Sequence, residues 1–217
     1  MASRVVFLVM LLASITCPAM ACYSGLLIIP TAETVDTNYL SVEYQNDGIV
    51  SGFTPDTHLI NTELGLTSRF ETGIDFDVSK DADQLALFNA KYLFSVDTRR
   101  DITLAAGTFN LTPNIKSTQY LVGMKDFHSF RLHLGGMHIV GSNEWFTGID
   151  SPINERIMLM ADYTSGSDNY SSAGFNYQFN DRFGVLAGSL FPNSGGDCLY
   201  TIHLVYCAPF RHVAHND

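Results

Sequence analysis

The chain has 217 residues, of which 46% are hydrophobic and only 16% are charged, and its net charge is -10. The length suits one substantial domain, and the charged fraction is well below the roughly 25% of an ordinary soluble domain. The acidic balance argues against a nucleic-acid partner, because such a protein needs a basic surface to neutralise phosphates. It also argues against attraction to anionic lipid headgroups.

Residues 1–21 are predicted to be a cleavable export signal. Arg4 supplies a positive charge, residues 5–12 form a short apolar run, and residues 19–21 (AMA) form a small-x-small cleavage site before Cys22. The run is too short for a membrane helix, which needs about 20 apolar residues. We therefore expect the mature protein to leave the cytoplasm and to begin with a leader segment.

The leader is assigned to residues 22–37, and residues 38–207 are predicted to form β-strands. Apolar and small polar residues alternate with a period of two on both sides of a polar turn at 180–182, which is a strong hairpin signal. Similar turns recur about 26 to 30 residues apart, which indicates a repeat of hairpins. The twelve predicted strands are 38–45, 57–67, 71–78, 85–95, 101–109, 117–126, 130–140, 143–150, 157–163, 169–179, 183–191 and 198–207.

One face of the predicted strands carries nearly all the mid-strand charge, and the other is apolar, with aromatic residues towards its ends. In a soluble sandwich the apolar face packs inward, whereas in a transmembrane barrel it contacts lipid and the polar face lines the interior. Glycines favour the barrel, because on a concave interior they relieve crowding. The glycines assigned to the polar face are Gly65, Gly73, Gly107, Gly123, Gly135, Gly148 and Gly174.

We therefore predict an all-β fold, a single antiparallel up-and-down transmembrane β-barrel of about twelve strands over 38–207, followed by a tail at 208–217. Short turns lie at one end and longer loops at the other. The expected location is the bacterial outer membrane, with its lipid as a partner. The alternative is a secreted, soluble β-sandwich or barrel with a structural or binding role. The turns expected at the periplasmic end contain Arg69, Arg99, Arg156 and Arg182.

The leader GLLIIPTAETVDTNYLSVEY, the repeated Arg-Phe turns and the segment LMADYTSGSDNYSSAGFNYQFNDRFGVLAGSLFPN resemble the YjbH-like outer-membrane β-barrel proteins and their shorter relatives. The resemblance covers most of the mature chain. It implies a barrel associated with exopolysaccharide production or export, with envelope or polysaccharide-export proteins as partners. It supplies no catalytic motif, so no catalytic residue is carried over.

The chain is predicted to be no enzyme and to need no cofactor. The TSGSD segment around Ser165 lacks the G-x-S-x-G turn of a nucleophile elbow. His133 and His203 are assigned to the inward face as ordinary polar positions, and the H-x-x-H-x-D tail at 212–217 is interpreted as a frayed terminus rather than a metal site. An outer-membrane barrel enzyme, with Ser and His paired across strands, is the least favoured class.

Charged residues on the inward face are the candidates for lining the lumen. Twelve strands lie between a filled eight-stranded barrel and an open sixteen-stranded porin, so the protein is expected to be a narrow pore or a filled surface scaffold. Because acids are in excess on this face, an open lumen would favour cations. The candidates are Glu63, Glu71, Asp75, Asp77, Lys91, Lys125, Arg131, His133, Arg156 and Asp162.

Cys22 and Cys207 are the candidates for a disulfide. Cys22 precedes the first strand and Cys207 ends the last, so both are expected at the periplasmic end of a closed barrel, in an oxidising compartment. Cys198 and Cys207 occupy opposite ends of one strand, roughly 30 Å apart, and cannot pair. Lipid attachment at Cys22 is the rival, although the residues before it lack the leucine of a lipobox. Intact mass without reductant distinguishes bridge, acyl chains and free thiols.

Overall fold

The computed structural model describes residues 24–80, 86–113, 115–139 and 141–210. These residues contain twelve β-strands, and the predicted signal at 1–21 lies outside them. The strands are β1 (Tyr39–Ile49), β2 (Thr54–Thr67), β3 (Phe70–Asp77), β4 (Leu87–Asp97), β5 (Ile102–Phe109), β6 (Thr118–Asp126), β7 (Arg131–Ile139), β8 (Ser142–Pro152), β9 (Ile157–Thr164), β10 (Tyr170–Gln178), β11 (Phe183–Pro192) and β12 (Leu199–Pro209).

The strands form one closed barrel, in which each strand pairs antiparallel with its neighbours in sequence. β1 closes the ring on β12, in a register that runs from Tyr39 opposite Pro209 to Ile49 opposite Leu199. The prediction of a twelve-stranded, antiparallel, up-and-down barrel is confirmed, and the sandwich alternative is wrong. A sandwich needs two separate sheets, whereas here every strand has hydrogen-bonded partners on both sides.

The first hairpin is longer than predicted. The polar residues after position 45 suggested a loop over 46–56, yet β1 continues to Ile49 and β2 begins at Thr54. Asn46 pairs with His58 on one side and with Ile202 on the other, so the polar stretch is still part of the sheet. Polar side chains are suited to a strand that extends beyond the apolar band of the barrel.

Asparagine side chains shape two of the short turns in the same way. The Oδ1 atom of Asn154 accepts hydrogen bonds from the backbone N–H groups of Arg156 and Ile157, at 2.9 and 3.0 Å. The Oδ1 atom of Asn180 accepts the equivalent bonds in the next turn, at 2.9 and 3.1 Å. An asparagine side chain that bonds to its own backbone stabilises a tight turn, which explains the recurrence of the Asn-x-Arg pattern at the same end of the barrel.

The outer face of the barrel is apolar, and aromatic and aliphatic side chains project from it along the strands. They alternate with the inward residues, so strand β7 exposes Leu132 and Leu134 while it buries His133. An apolar band of this kind is the surface that a transmembrane barrel presents to lipid. No helix long and apolar enough to span a membrane occurs in the described parts of the chain. Further outward residues are Phe76, Phe88, Tyr92, Phe94, Leu121, Trp145, Ile149, Leu159, Phe175, Ile202 and Leu204.

We expect Leu134→Arg to destabilise the barrel in a bilayer by about 2–4 kcal/mol, the cost of a basic side chain on a lipid-facing strand. Leu134 is 61% exposed near the middle of β7. Urea unfolding of the protein inserted in vesicles measures the change. Leu111→Arg is the control, since Leu111 is exposed in the loop between β5 and β6. Equal, small effects of the two substitutions would contradict a lipid-facing β7.

Candidate functional site: the barrel lumen

Most of the predicted lumen residues occupy inward-facing positions. Glu71 and Lys91 are buried at opposed positions of β3 and β4. His133 and Asp162 are also buried inside the barrel. Asp77 shares the inward alternation of Asp75 at the loop end of β3. The predicted residues on this inner face are Glu63, Glu71, Asp75, Asp77, Lys91, Arg131, His133 and Asp162.

Two predicted lumen residues, Lys125 and Arg156, lie elsewhere. On β6 the buried residues are Tyr120, Val122 and Met124, so Gly123 and Lys125 point outward. On this strand the inward face is mostly apolar, while the outward face carries Gln119 and Lys125, so the alternation indicated the wrong side as the lumen face. Lys125 instead donates to the carbonyl oxygen of Arg100 and lies 3.8 Å from a carboxylate oxygen of Asp101.

Arg156 precedes the first residue of β9 and is exposed in the turn, where its backbone N–H is bonded to Asn154. Its side chain therefore lies at the rim rather than on the lumen wall. Asp162, six residues further along the chain, is the acid of this strand that does reach the interior.

The leader folds back into the barrel as a small hairpin. The backbone N–H of Leu26 donates to the carbonyl oxygen of Ile29 at 2.8 Å, and that of Thr31 donates to Ser24 at 3.1 Å. An isolated antiparallel bridge joins Gly25 and Pro30. Leu26, Leu27, Ile29, Ala32 and Val35 are all buried. The segment that the sequence assigns to a leader is thus the central element of the interior, which we name the plug (residues 24–35).

Lys91 holds both ends of the plug against the wall. Its Nζ donates to the carbonyl oxygens of Ser24 and Glu33, each at 2.8 Å, and lies 2.8 Å from Oε1 of Glu71. The residue is 3% exposed. An ammonium group has three donors, so these contacts satisfy all of them.

Two carboxylates of the wall accept hydrogen bonds from the plug backbone. Oδ2 of Asp162 accepts from the N–H groups of Leu27 and Ile28, at 2.9 and 3.2 Å. Oε2 of Glu71 accepts from the N–H of Val35 at 2.7 Å. Buried peptide groups need such partners, and the plug has few within itself because its hairpin is short.

A second ionic cluster connects the plug to the opposite side of the wall. Nη1 of Arg131 lies 2.6 Å from Oε1 of Glu33 in the plug, and Nε of Arg131 lies 2.7 Å from Oδ1 of Asp150 in β8. Asp150 also lies 2.9 Å from Nε2 of His133, and both of these side chains are fully buried. The cluster balances its acids with bases, as buried charges require.

The lumen wall is divided into an apolar part and an acidic part. The apolar part contacts the plug, and its positions opposite the plug include glycines. A Cβ atom on Gly148 would lie 2.6 Å from methyl groups of Leu26 and Ile29, and one on Gly188 would lie 2.8 Å from Leu27. The buried apolar residues of this part are Leu93, Ala105, Tyr120, Val122, Met124, Phe146, Met158, Met160 and Leu186.

The acidic part borders a cavity of about 360 Å³ between the plug and the inner faces of β1–β6 and β12. Residues 24–30 of the plug form one side of this cavity. Asn61 links the acids of the wall, since its Nδ2 donates to Glu43 at 2.9 Å and to Gln45 at 3.0 Å. Asn89 donates to Asp75 at 2.5 Å. The acids that line the cavity are Glu43, Glu63, Glu71 and Asp75.

Glu33, Glu43 and Asp150 are functional candidates that the sequence prediction did not include. Glu43 lies 2.8 Å from Nδ1 of His203, and the inward position assigned to that histidine is correct. Glu43 and Asp150 share the period-two alternation of the residues that were selected, so the alternation contained the signal for both. Glu33 gave no such signal, because nothing in the leader sequence indicates that it enters the barrel.

The predicted Cys22–Cys207 bridge stays a prediction, because Cys22 lies outside the described residues. Cys207 is 3% exposed beside Val35 and is disulfide-bonded, whereas Cys198 is a free thiol. The H-x-x-H-x-D motif also lies outside the described residues. Among those that the structure describes, no group of three or more His, Cys, Asp or Glu side chains is arranged to hold a metal ion.

Solved structures share this architecture. A KdgM porin matches with a TM-score of 0.53 and 12% identity, over 76% of this chain and 98% of the porin. A KdgM porin in complex with disordered oligogalacturonate matches with a TM-score of 0.52, at 12% identity and the same coverage. No family model and no curated protein matches the chain. At this identity the likeness shows the fold alone, which is a closed antiparallel β-barrel.

We expect Glu71→Gln to lower the free energy of unfolding by about 3–5 kcal/mol, because it leaves the buried ammonium of Lys91 without its carboxylate. The double variant Glu71→Gln/Lys91→Met should recover part of this loss, since it removes the unpaired charge. Urea unfolding in vesicles measures both variants.

The matched control is Asp97→Asn, which removes the exposed pair of Asp97 and Arg100. A surface pair contributes about 0–1 kcal/mol, so this change should be small. A Glu71→Gln variant no less stable than Asp97→Asn would show that the Lys91 contact does not stabilise the barrel.

Proposed function

We propose that this protein is a bacterial outer-membrane β-barrel that forms a narrow, cation-preferring pore and catalyses no reaction. The observation that carries the proposal is the combination of an apolar outer face with an inner cavity bordered by Glu43, Glu63, Glu71 and Asp75. A barrel with apolar side chains outside and charges inside is suited to lipid on one face and to water on the other.

The outer-membrane location rests on that outer face and on the fold shared with porins. The export signal proposed at 1–21 belongs to the same hypothesis, because an outer-membrane protein must first leave the cytoplasm. Bilayer lipid is then the partner of the apolar band.

Charge determines the class of solute that we propose. Glu71 has Lys91 as its ionic partner, and Glu43 has His203. Glu63 is bonded to the hydroxyl group of Ser24 and Asp75 to the amide of Asn89, so neither bond brings a positive charge. In the low dielectric of an enclosed lumen such carboxylates attract cations and repel anions. Oligogalacturonate, bound by one porin of this fold, is anionic, and we propose that this lumen disfavours such an oligosaccharide.

A surface scaffold is the second candidate, and the plug favours it. Residues 24–35 occupy the interior and are held by Lys91, Arg131 and Asp162. A permanently filled barrel would serve as an attachment point for other envelope proteins. The link to exopolysaccharide export is a proposal about such partners, and it rests on the YjbH-like resemblance alone.

Single-channel recording in planar bilayers tests the pore. We expect openings that prefer cations, and a weaker preference in the double variant Glu63→Gln/Asp75→Asn. A carboxylate about 8 Å from a permeating ion contributes about 2 kcal/mol at an effective dielectric constant of about 20. Since about 1.4 kcal/mol corresponds to a factor of ten, the cation-to-anion permeability ratio should fall by at least about thirtyfold.

The control is Glu155→Gln/Asp181→Asn, which removes the same charge from two exposed turn residues. The permeability ratio of this control should match that of the unsubstituted protein. A correctly folded barrel that stays silent in every variant would reject the pore and favour the scaffold.

A further inference from the structure

We propose that the lumen wall is a peptide-binding site, that the plug is its resident ligand, and that departure and return of the plug open and close the pore. This inference rests on the proposed pore function. It assigns the role of the gate to residues 24–35 of this chain.

The wall contacts the plug mainly through its peptide groups. Asp162 and Glu71 accept backbone N–H groups, while Lys91 donates to backbone carbonyl oxygens. Such contacts hold a peptide in position whatever its side chains are, as in other modes of peptide recognition. Selectivity comes from the space beside Gly148 and Gly188, which the side chains of Leu26, Ile29 and Leu27 fill. The wall therefore has the chemistry of a site for a short apolar peptide.

The barrel does not need the plug for its closure. β1 and β12 pair over their full length, and no strand uses a plug residue in its pairing. The plug joins β1 next to Asn38, whose φ of 67° lies in the left-handed region. The backbone N–H of Asn38 donates to the carbonyl oxygen of Gly65 at 2.7 Å. The fixed wall thus ends at this residue, which attaches one end of the plug. The predicted Cys22–Cys207 bridge would attach the other end at the same rim, beside Val35, so the plug leaves the lumen as a loop.

Two ion pairs of the wall remain when the plug leaves, although Asp162 loses its two hydrogen bonds to the plug backbone. Lys91 keeps Glu71 at 2.8 Å, and Arg131 keeps Asp150 at 2.7 Å. Departure thus leaves neither of these bases as an isolated buried charge, which would be costly. It does expose the apolar part of the wall to water, and that cost favours the closed state. The retained ion pairs lower the cost of opening, and the exposure of the apolar wall favours the closed state. The gate is therefore mostly closed and able to open.

The test places a charge on the plug and leaves the wall unchanged. Leu27→Asp brings a carboxylate next to Asp162, which accepts the backbone N–H of Leu27. It also removes a plug side chain that packs against the apolar part of the wall. Leu111→Asp is the matched control in an exposed loop. Glu33→Gln is a milder second variant, which removes the plug side of the pair with Arg131 while Arg131 keeps Asp150.

Amide hydrogen exchange of residues 24–35 and single-channel conductance are measured on each full-length protein. We expect exchange in Leu27→Asp to be faster by about tenfold or more, together with a larger open fraction, and a smaller change of the same sign in Glu33→Gln. A synthetic peptide SGLLIIPTAETV, added on the side of the short turns, should close the opened channels, whereas a scrambled peptide should not.

The inference is overturned if Leu27→Asp and Glu33→Gln match Leu111→Asp in both exchange and conductance while the channels conduct. It is also overturned if the synthetic peptide does not close the opened channels. Faster exchange in folded barrels that never conduct would instead reject the pore, and with it the gate, while the plug would remain a separable peptide ligand of the wall.

Discussion

Closure of the sheet by β1 and β12 is the constraint on which the rest of this structure depends. The hydrocarbon region of a bilayer offers no water to an unpaired N–H or C=O group, so a sheet edge there would be too costly. The β1–β12 register removes both edges. Closure at twelve strands also sets the width of the interior. An eight-stranded barrel is filled by its own side chains, and this wider one is filled in part by the plug.

The composition of the plug follows from its position in the barrel interior. Leu26, Leu27 and Ile29 pack against an apolar part of the wall that water would otherwise contact. The peptide groups that enter with them need hydrogen-bond partners, and a short hairpin supplies few. Lys91, Asp162 and Glu71 supply partners from the wall. Charged wall residues therefore recur where the plug backbone passes.

Sequence patterning predicted the barrel well because successive residues of a strand point to opposite faces, and the outer and inner faces of a transmembrane barrel differ in polarity. It failed on β6, where Leu121 and Val122 are both apolar but only Val122 faces inward. An apolar lumen wall removes the contrast between the faces, so Lys125 was assigned to the interior. The position of the plug was not predictable, because GLLII is a continuous apolar run whose pattern does not indicate which surface it packs against. Glu33 was missed for that reason.

The plug also determines which part of the wall borders open space. By covering the apolar part, it leaves a cavity of about 360 Å³ whose remaining boundary includes Glu63 and Asp75. Neither acid has a cationic partner in its hydrogen bond, and the plug contributes only the hydroxyl of Ser24 to Glu63. The cation preference that we propose is therefore a property of these wall acids, and departure of the plug places them beside a wider, more polarisable volume of water. A higher dielectric weakens each carboxylate's field, so an open lumen should conduct more and discriminate less.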